Sequence, residues 1–317
     1  MRVFRQFSMI LAAVILLASC GGKVKSPARR SFPPPPQVPS VVTDPQEIAG
    51  YVATHFWDAF LSGVYPCDSS LVNGVPADDV ESAVGRFVTI LETVCERPTA
   101  IKAMDGFFQK INDFQTKNPS SNVYGYFMRM VEKYLYDPNS PVRDEDLYLP
   151  YIKGLAGSDL TPEEMRPAYS RDALMCSLNQ VGTNAADIRF TGLDGRVRTL
   201  YGIKADYVLL LFTNPGCPNC EEVISTLTGN DRFNNAITTG KIAVVNLYID
   251  LEVDKWKGLA SEYPKAWTNG YDQDYIIRKD LTYNVRAIPS LYLLDKDKKV
   301  ILKDAPIEKV LPYLENI

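Results

Sequence analysis

The 317-residue sequence has one histidine, His55, and only one Cys-x-x-Cys, at positions 217–220. A single histidine leaves no ligand set for a His-rich metal centre, and the lone cysteine pair falls two ligands short of a zinc site. No metal or organic cofactor is expected. Positive charge is scarce too: 34 Lys and Arg against 38 Asp and Glu give a formal charge of −4. With no basic tract, a nucleic-acid partner is not expected. No apolar run is long enough to span a bilayer as a mature helix, and no repeat of fixed period is present.

Met9 to Ala18 do have the size of a signal-peptide core, behind the positive Arg2 and Arg5. Leu17-Ala18-Ser19-Cys20 resembles a bacterial lipobox. Residues 1–19 are therefore read as a signal peptide and Cys20 as the lipidated first residue of the mature chain. Loss of Arg2 and Arg5 takes the formal charge from −4 to −6. The expected location is the bacterial cell envelope, lipid-anchored, periplasmic or outer-membrane associated. Residues 20–44, with Pro33-Pro34-Pro35-Pro36, read as a semi-rigid tether.

Residues 45–175 are expected to form a helical domain. Asp44-Pro45 caps a helix with an apolar stripe from Ile48 through Phe60 that includes His55, read as a satisfied core residue. Further stripes run from Val80 to Val94, Met104 to Phe114 and Val123 to Leu135. Thr161-Pro162-Glu163-Glu164 opens another helix toward Cys176, and residues 176–183 read as a linker.

The period changes near Ala185. Ile188–Thr191 and Val197–Leu200 form a hairpin about Asp194-Gly195. Tyr207–Phe212 and Ile242–Ile249 are continuous apolar runs, as doubly buried parallel strands require. A helix surrounds Trp256 and Leu259; Ser290–Leu294 and Val300–Leu302 form an antiparallel pair, and a helix closes the chain. The fold class is thus two domains, an N-terminal all-α part and a C-terminal α/β part, residues 184–317, with a mixed sheet flanked by helices.

Between the first long strand and its helix lies Asn214-Pro215-Gly216-Cys217-Pro218-Asn219-Cys220. Cysteines three apart at a helix start suit thiol–disulfide exchange. The N-terminal N–H groups and helix dipole favour a thiolate at Cys217, the attacking sulfur. Cys220, in register with Ile224 and Leu227, faces inward and resolves the mixed disulfide. Glu221 and Glu222 oppose the helix effect.

The cysteine pair after an apolar strand, with Ile288-Pro289 before a later one, resembles the thioredoxin superfamily. Asn284 to Asp295 followed by Val300-Ile301 is most similar to its TlpA/ResA-type branch of anchored extracytoplasmic oxidoreductases. The helical part is similar to a domain of unknown function that precedes such modules in bacterial lipoproteins. The resemblance implies a thioredoxin-like fold for the C-terminal part and a cis Pro289 beside the cysteines, with Ile288 and Pro289 contacting a bound substrate strand. It implies protein disulfides as substrates, reduction as the favoured direction, and a membrane-bound thiol reductant as donor. Two departures stand out. Leu211 occupies the place of a buried acid, and Gly216 that of a tryptophan, so a proton would pass through water or through Glu221.

Two other readings bear on the cysteine pair. A peroxiredoxin-type centre needs Thr or Ser three residues before the attacking cysteine, where Asn214 stands. A tethered binding protein, with Cys217–Cys220 as a static structural disulfide, remains open, because a fold does not dictate an activity. Of the other cysteines, Cys67 and Cys95 are expected to form a structural disulfide, as an oxidising compartment favours, and Cys176 to be a buried thiol.

Overall fold

The computed structural model describes residues 29–316. The first domain comprises α1 (Pro45–His55), a hairpin of β1 (Leu71–Val72) and β2 (Val75–Pro76), then α2 (Ala77–Thr93), α3 (Arg97–Lys117), α4 (Val123–Leu135), α5 (Glu145–Gly157) and α6 (Arg166–Cys176). Asp44 caps α1, accepting from the amides of Gln46 and Glu47. Trp57 forms the hub of an aromatic core, with ring centroids of Phe107 at 5.1 Å and Phe127 at 4.8 Å.

Several expectations change here. The domain carries the small β1–β2 hairpin besides its helices, and α5 adds a helix the stripes did not show. The first helix ends at His55 rather than Phe60; the Asp58 amide turns back to His55 O at 3.2 Å, and the Phe60 carbonyl accepts from Arg30 Nη2 at 2.6 Å and Asn73 Nδ2 at 2.9 Å. His55 is a surface residue whose Nδ1 lies 2.6 Å from Asp58 Oδ2. Two residues of the expected tether, Arg30 and Phe32, pack on the helical domain, while residues 33–44 run largely exposed. The Arg30 amide donates to Gly74 O at 2.9 Å, and Phe32 stacks on Phe60 at 5.7 Å, so this part of the segment is docked.

The second domain contains β3 (Arg189–Gly192), β4 (Val197–Thr199), β5 (Tyr207–Phe212), α7 (Pro218–Thr228), α8 (Asp231–Thr238), β6 (Ile242–Tyr248) and α9 (Val253–Leu259). It continues through β7 (Thr268–Tyr271), α10 (Ile276–Lys279), β8 (Ser290–Asp295), β9 (Val300–Leu302) and α11 (Ile307–Glu315). One sheet runs in the order β4-β3-β7-β6-β5-β8-β9. β5–β6 and β6–β7 are parallel pairs; the others are antiparallel. Alternation along β5 sends Val208, Leu210 and Phe212 to one face, and Leu209 and Leu211 to the face covered by α7, α8 and α11. The fold is the expected mixed sheet flanked by helices, with β7 as a strand the sequence did not reveal.

Residues 176–183 are not a free linker. The Gly182 amide donates to Val300 O at 2.8 Å and the Val300 amide to Thr183 O at 2.9 Å, so this segment pairs along β9. Among the described residues no helix is long and apolar enough to cross a membrane.

Candidate redox site

Leu209 to Phe212 end β5, and the Thr213 amide donates to Leu247 O, holding the turn to β6. Gly216 has φ +72°, a backbone state that glycine adopts without strain, and it turns the chain into α7. Cys217 occupies the N-cap of α7 and Pro218 its first turn, where a missing N–H leaves no bond unmade. The Cys217 thiol is half-buried and donates to Ile288 O at 3.9 Å. Cys220, one turn on, is fully buried. Burial pushes its thiol up to about 12, and a hydrogen bond to Cys217 adds to the rise. Both sulfurs are free thiols.

The Ile288–Pro289 bond is cis. Among the described residues the amides of Arg286, Ala287 and Ile288 make no hydrogen bond, which leaves an edge open for strand pairing. Ser290 donates to Asp304 Oδ1 at 2.6 Å, while Arg286 Nη2 donates to Asp304 Oδ2 at 2.8 Å. One carboxylate thus clasps both ends of the segment containing Pro289. Arg286 Nε also reaches Glu145 Oε1 at 3.0 Å, and Asn284 Nδ2 reaches the same oxygen at 2.6 Å. Arg143 Nε donates to Asp304 O at 2.8 Å. The helical domain therefore grips the loop that contains Pro289 directly.

Leu211 is buried, and its register partner on β6 is Asn246. Asn246 Oδ1 accepts from Thr213 Oγ1, and Asn246 Nδ2 donates to Asn269 Oδ1 at 3.0 Å. Neutral amides and hydroxyls thus occupy the ground beneath α7. Tyr263 lies beside Thr213, and its hydroxyl is buried. Burial raises its pKa to about 12 against the pull of Thr213, and Cys220 and Cys217 raise it further. Glu221 is exposed.

The structure therefore brings Cys217, Cys220, Ile288 and Pro289 together. Cys20 lies outside the described residues, as does the signal segment 1–19. The expected Cys67–Cys95 bridge is not formed; both are free thiols. Cys67 lies near the start of α2, where the Ala77 amide donates to Ser70 O, and Cys95 lies beyond its far end. About 25 Å of helix separates those ends, several times the reach of a disulfide. Cys176 is buried at the end of α6, with its carbonyl bound by Lys303 Nζ at 2.6 Å. Among the described residues no three His, Cys, Asp or Glu side chains converge as a metal site. Glu145, Arg286, Asp304 and Tyr263 were missed. Only the charges of Arg286 and Asp304 beside apolar strand residues offered a signal.

A family model described as a thioredoxin-like domain matches residues 199–316, and one described as "Domain of unknown function (DUF5106)" matches residues 18–171. The crystal structure of a thioredoxin-like protein from Bacteroides caccae is 32% identical, with a TM-score of 0.75, and covers 89% of this chain and 97% of its own. The C-terminal domain of an uncharacterized protein from Bacteroides fragilis is 43% identical over 43% of this chain and 97% of its own, with a TM-score of 0.42. A domain of a possible thiol-disulfide isomerase from Cytophaga hutchinsonii is 28% identical over 44% of this chain and 94% of its own, with a TM-score of 0.38. No curated protein matches. With a relative similar along nearly its whole length and a family model on its second half, the chain belongs to the thioredoxin-like family, its thioredoxin-like domain following a DUF5106 domain.

Proposed function

We propose that the protein is an envelope thiol–disulfide oxidoreductase that reduces protein disulfides through Cys217 and Cys220. Membership of the thioredoxin-like family supports a redox-related role. The observation that carries the reading is the contrast between the two sulfurs. Cys217 is partly accessible at a helix N-cap beside the Ile288 carbonyl, and Cys220 is sealed one turn below.

The Cys217 thiolate attacks one client sulfur, forming a mixed disulfide while the other client sulfur leaves and takes up a proton. Cys220 then loses its proton and attacks Cys217 Sγ, and the second client sulfur leaves and is protonated. The balance is one client disulfide and two protein thiols converted to two client thiols and a Cys217–Cys220 disulfide. A membrane-bound thiol reductant would restore the dithiol, and lipidation at Cys20 would hold the protein at the periplasmic or outer-membrane surface. The lipobox-like Leu17-Ala18-Ser19-Cys20 supports that placement.

Insulin reduction by the detergent-solubilised full chain, against Cys217→Ser, tests the reading; equal rates overturn it. A reduction potential below about −300 mV would instead mark a static disulfide and leave a tethered scaffold.

A further inference from the structure

The segment between α4 and α5 of the helical domain stands across a trench from α7. Pro138, Asn139 and Pro141 form one wall of a cavity of about 600 Å³, with the Ala287–Pro289 segment and the first turn of α11 as its floor. The other wall is one face of α7, presenting Asn219, Glu222, Val223 and Thr226. Those seven helical steps span about 10 Å, the length of about three residues of extended chain. The trench is continuous with the unpaired amides of Arg286–Ile288, where a substrate strand would lie.

The first wall is fixed. Ser140 Oγ donates to Tyr134 O at 2.6 Å, and Arg143, which also lines the trench, is committed through Nε to the Asp304 carbonyl. Lys309 is turned away onto Glu92 at 2.6 Å. Glu222 and Glu308, both exposed and both lining the trench, make no side-chain hydrogen bond or salt bridge among the described residues. The trench lining therefore carries two acids against one arginine, whose charge the Asp304 carbonyl and carboxylate already engage.

We propose that this interdomain trench holds an extended segment of the client polypeptide next to its reacting cysteine, and that Glu222 and Glu308 select a lysine or arginine there. The helical domain is then the second wall of the client site, admitting a flexible strand and excluding a folded surface. The inference rests on the oxidoreductase reading.

Three synthetic peptides with an internal disulfide, differing only in Lys, Gln or Glu two residues from the reacting cysteine, serve as probes. Bis(2-hydroxyethyl) disulfide, small and neutral, is the reference substrate. The full chain should reduce the Lys peptide about fivefold faster in kcat/KM than the Glu peptide, as one or two exposed ion pairs allow. That ratio should fall to about one in Glu222→Gln/Glu308→Gln. Asn139→Trp, which fills the trench, should slow all three peptides at least about fivefold more than it slows the reference. Absence of charge preference, or equal slowing of peptides and reference, overturns the trench while leaving the oxidoreductase intact. Failure to reduce the reference at all removes both.

Discussion

Arg286 Nε lies 3.0 Å from Glu145 Oε1, so a carboxylate of α5 holds the segment that leads into Pro289. Around it Lys303 bridges Glu145 and Asp146, at 3.1 and 3.2 Å, and Arg286 also binds Asp304. Burial raises the Glu145 pKa; Lys303 and Arg286 oppose the rise, and Asp304 adds to it. A carboxyl with a raised folded-state pKa stabilises most when protonated, and that contribution fades as pH climbs from the unfolded value of about 4.5 through the folded one. Denaturant unfolding should therefore show stability falling over that range, by at most about 1.4 kcal/mol per pH unit from this group. Glu145→Gln should flatten the fall. An unchanged slope in that variant would show that other groups set the pH response.

Cys220 reports on proton handling. With its thiol raised by burial, which persists in the mixed disulfide, only a small fraction is thiolate at neutral pH. If that fraction limits the second step, resolution of a preformed mixed disulfide should quicken about tenfold per pH unit between pH 6 and 9. A stopped-flow chase of thiol release measures it. A flat profile would mean that a neighbouring group takes the proton, and Tyr263→Phe and Glu221→Gln would then tell the buried hydroxyl from the exposed carboxylate.

The redox pair was legible because its signals are local. A strand of Leu209 to Phe212, Gly216 at a turn, and Pro218 in a first helical turn each announce themselves within a few residues. The mixed sheet followed from the same kind of reading, apart from β7, whose Thr268-Asn269-Gly270-Tyr271 lacks a β-branched run. α5 stayed hidden for a related reason. It opens on two acids, Glu145 and Asp146, and carries Pro150 inside it, although both acids are buried and the helix continues past Pro150. Contacts between domains leave no periodic trace. Glu145 and Asn284 are 139 positions apart, and nothing near either marks the pairing. The same holds for Arg30, whose partners Phe60 and Asn73 lie 30 and 43 residues away.

Phe32 tests whether the stretch before α1 is part of the domain. Its ring meets Phe56, Trp57 and Phe60 at 6.1, 5.6 and 5.7 Å, and Arg86 lies over it at 5.6 Å. Phe32→Ala should lower stability by about 2 kcal/mol, less than a full core truncation because the ring is only partly buried. Thermal unfolding followed by aromatic circular dichroism would register it. No change would return the segment to the status of a spacer.

Two glycines in neighbouring helices should respond with opposite sign to the same substitution. Gly154 of α5 faces α3 so closely that an added Cβ would come within 2.3 Å of Phe108, a buried ring already set edge-on to Tyr151 at 5.3 Å. Alanine is the better helix former by about 1 kcal/mol, yet overpacking of this size costs about 1–3 kcal/mol, so Gly154→Ala should destabilise. Gly106, in the interior of α3, meets nothing within 4 Å. There the propensity gain stands alone, and Gly106→Ala should stabilise by up to about 1 kcal/mol. Urea midpoints for the pair measure both. If the two variants move in the same direction, α5 does not pack on α3 through Gly154 as described.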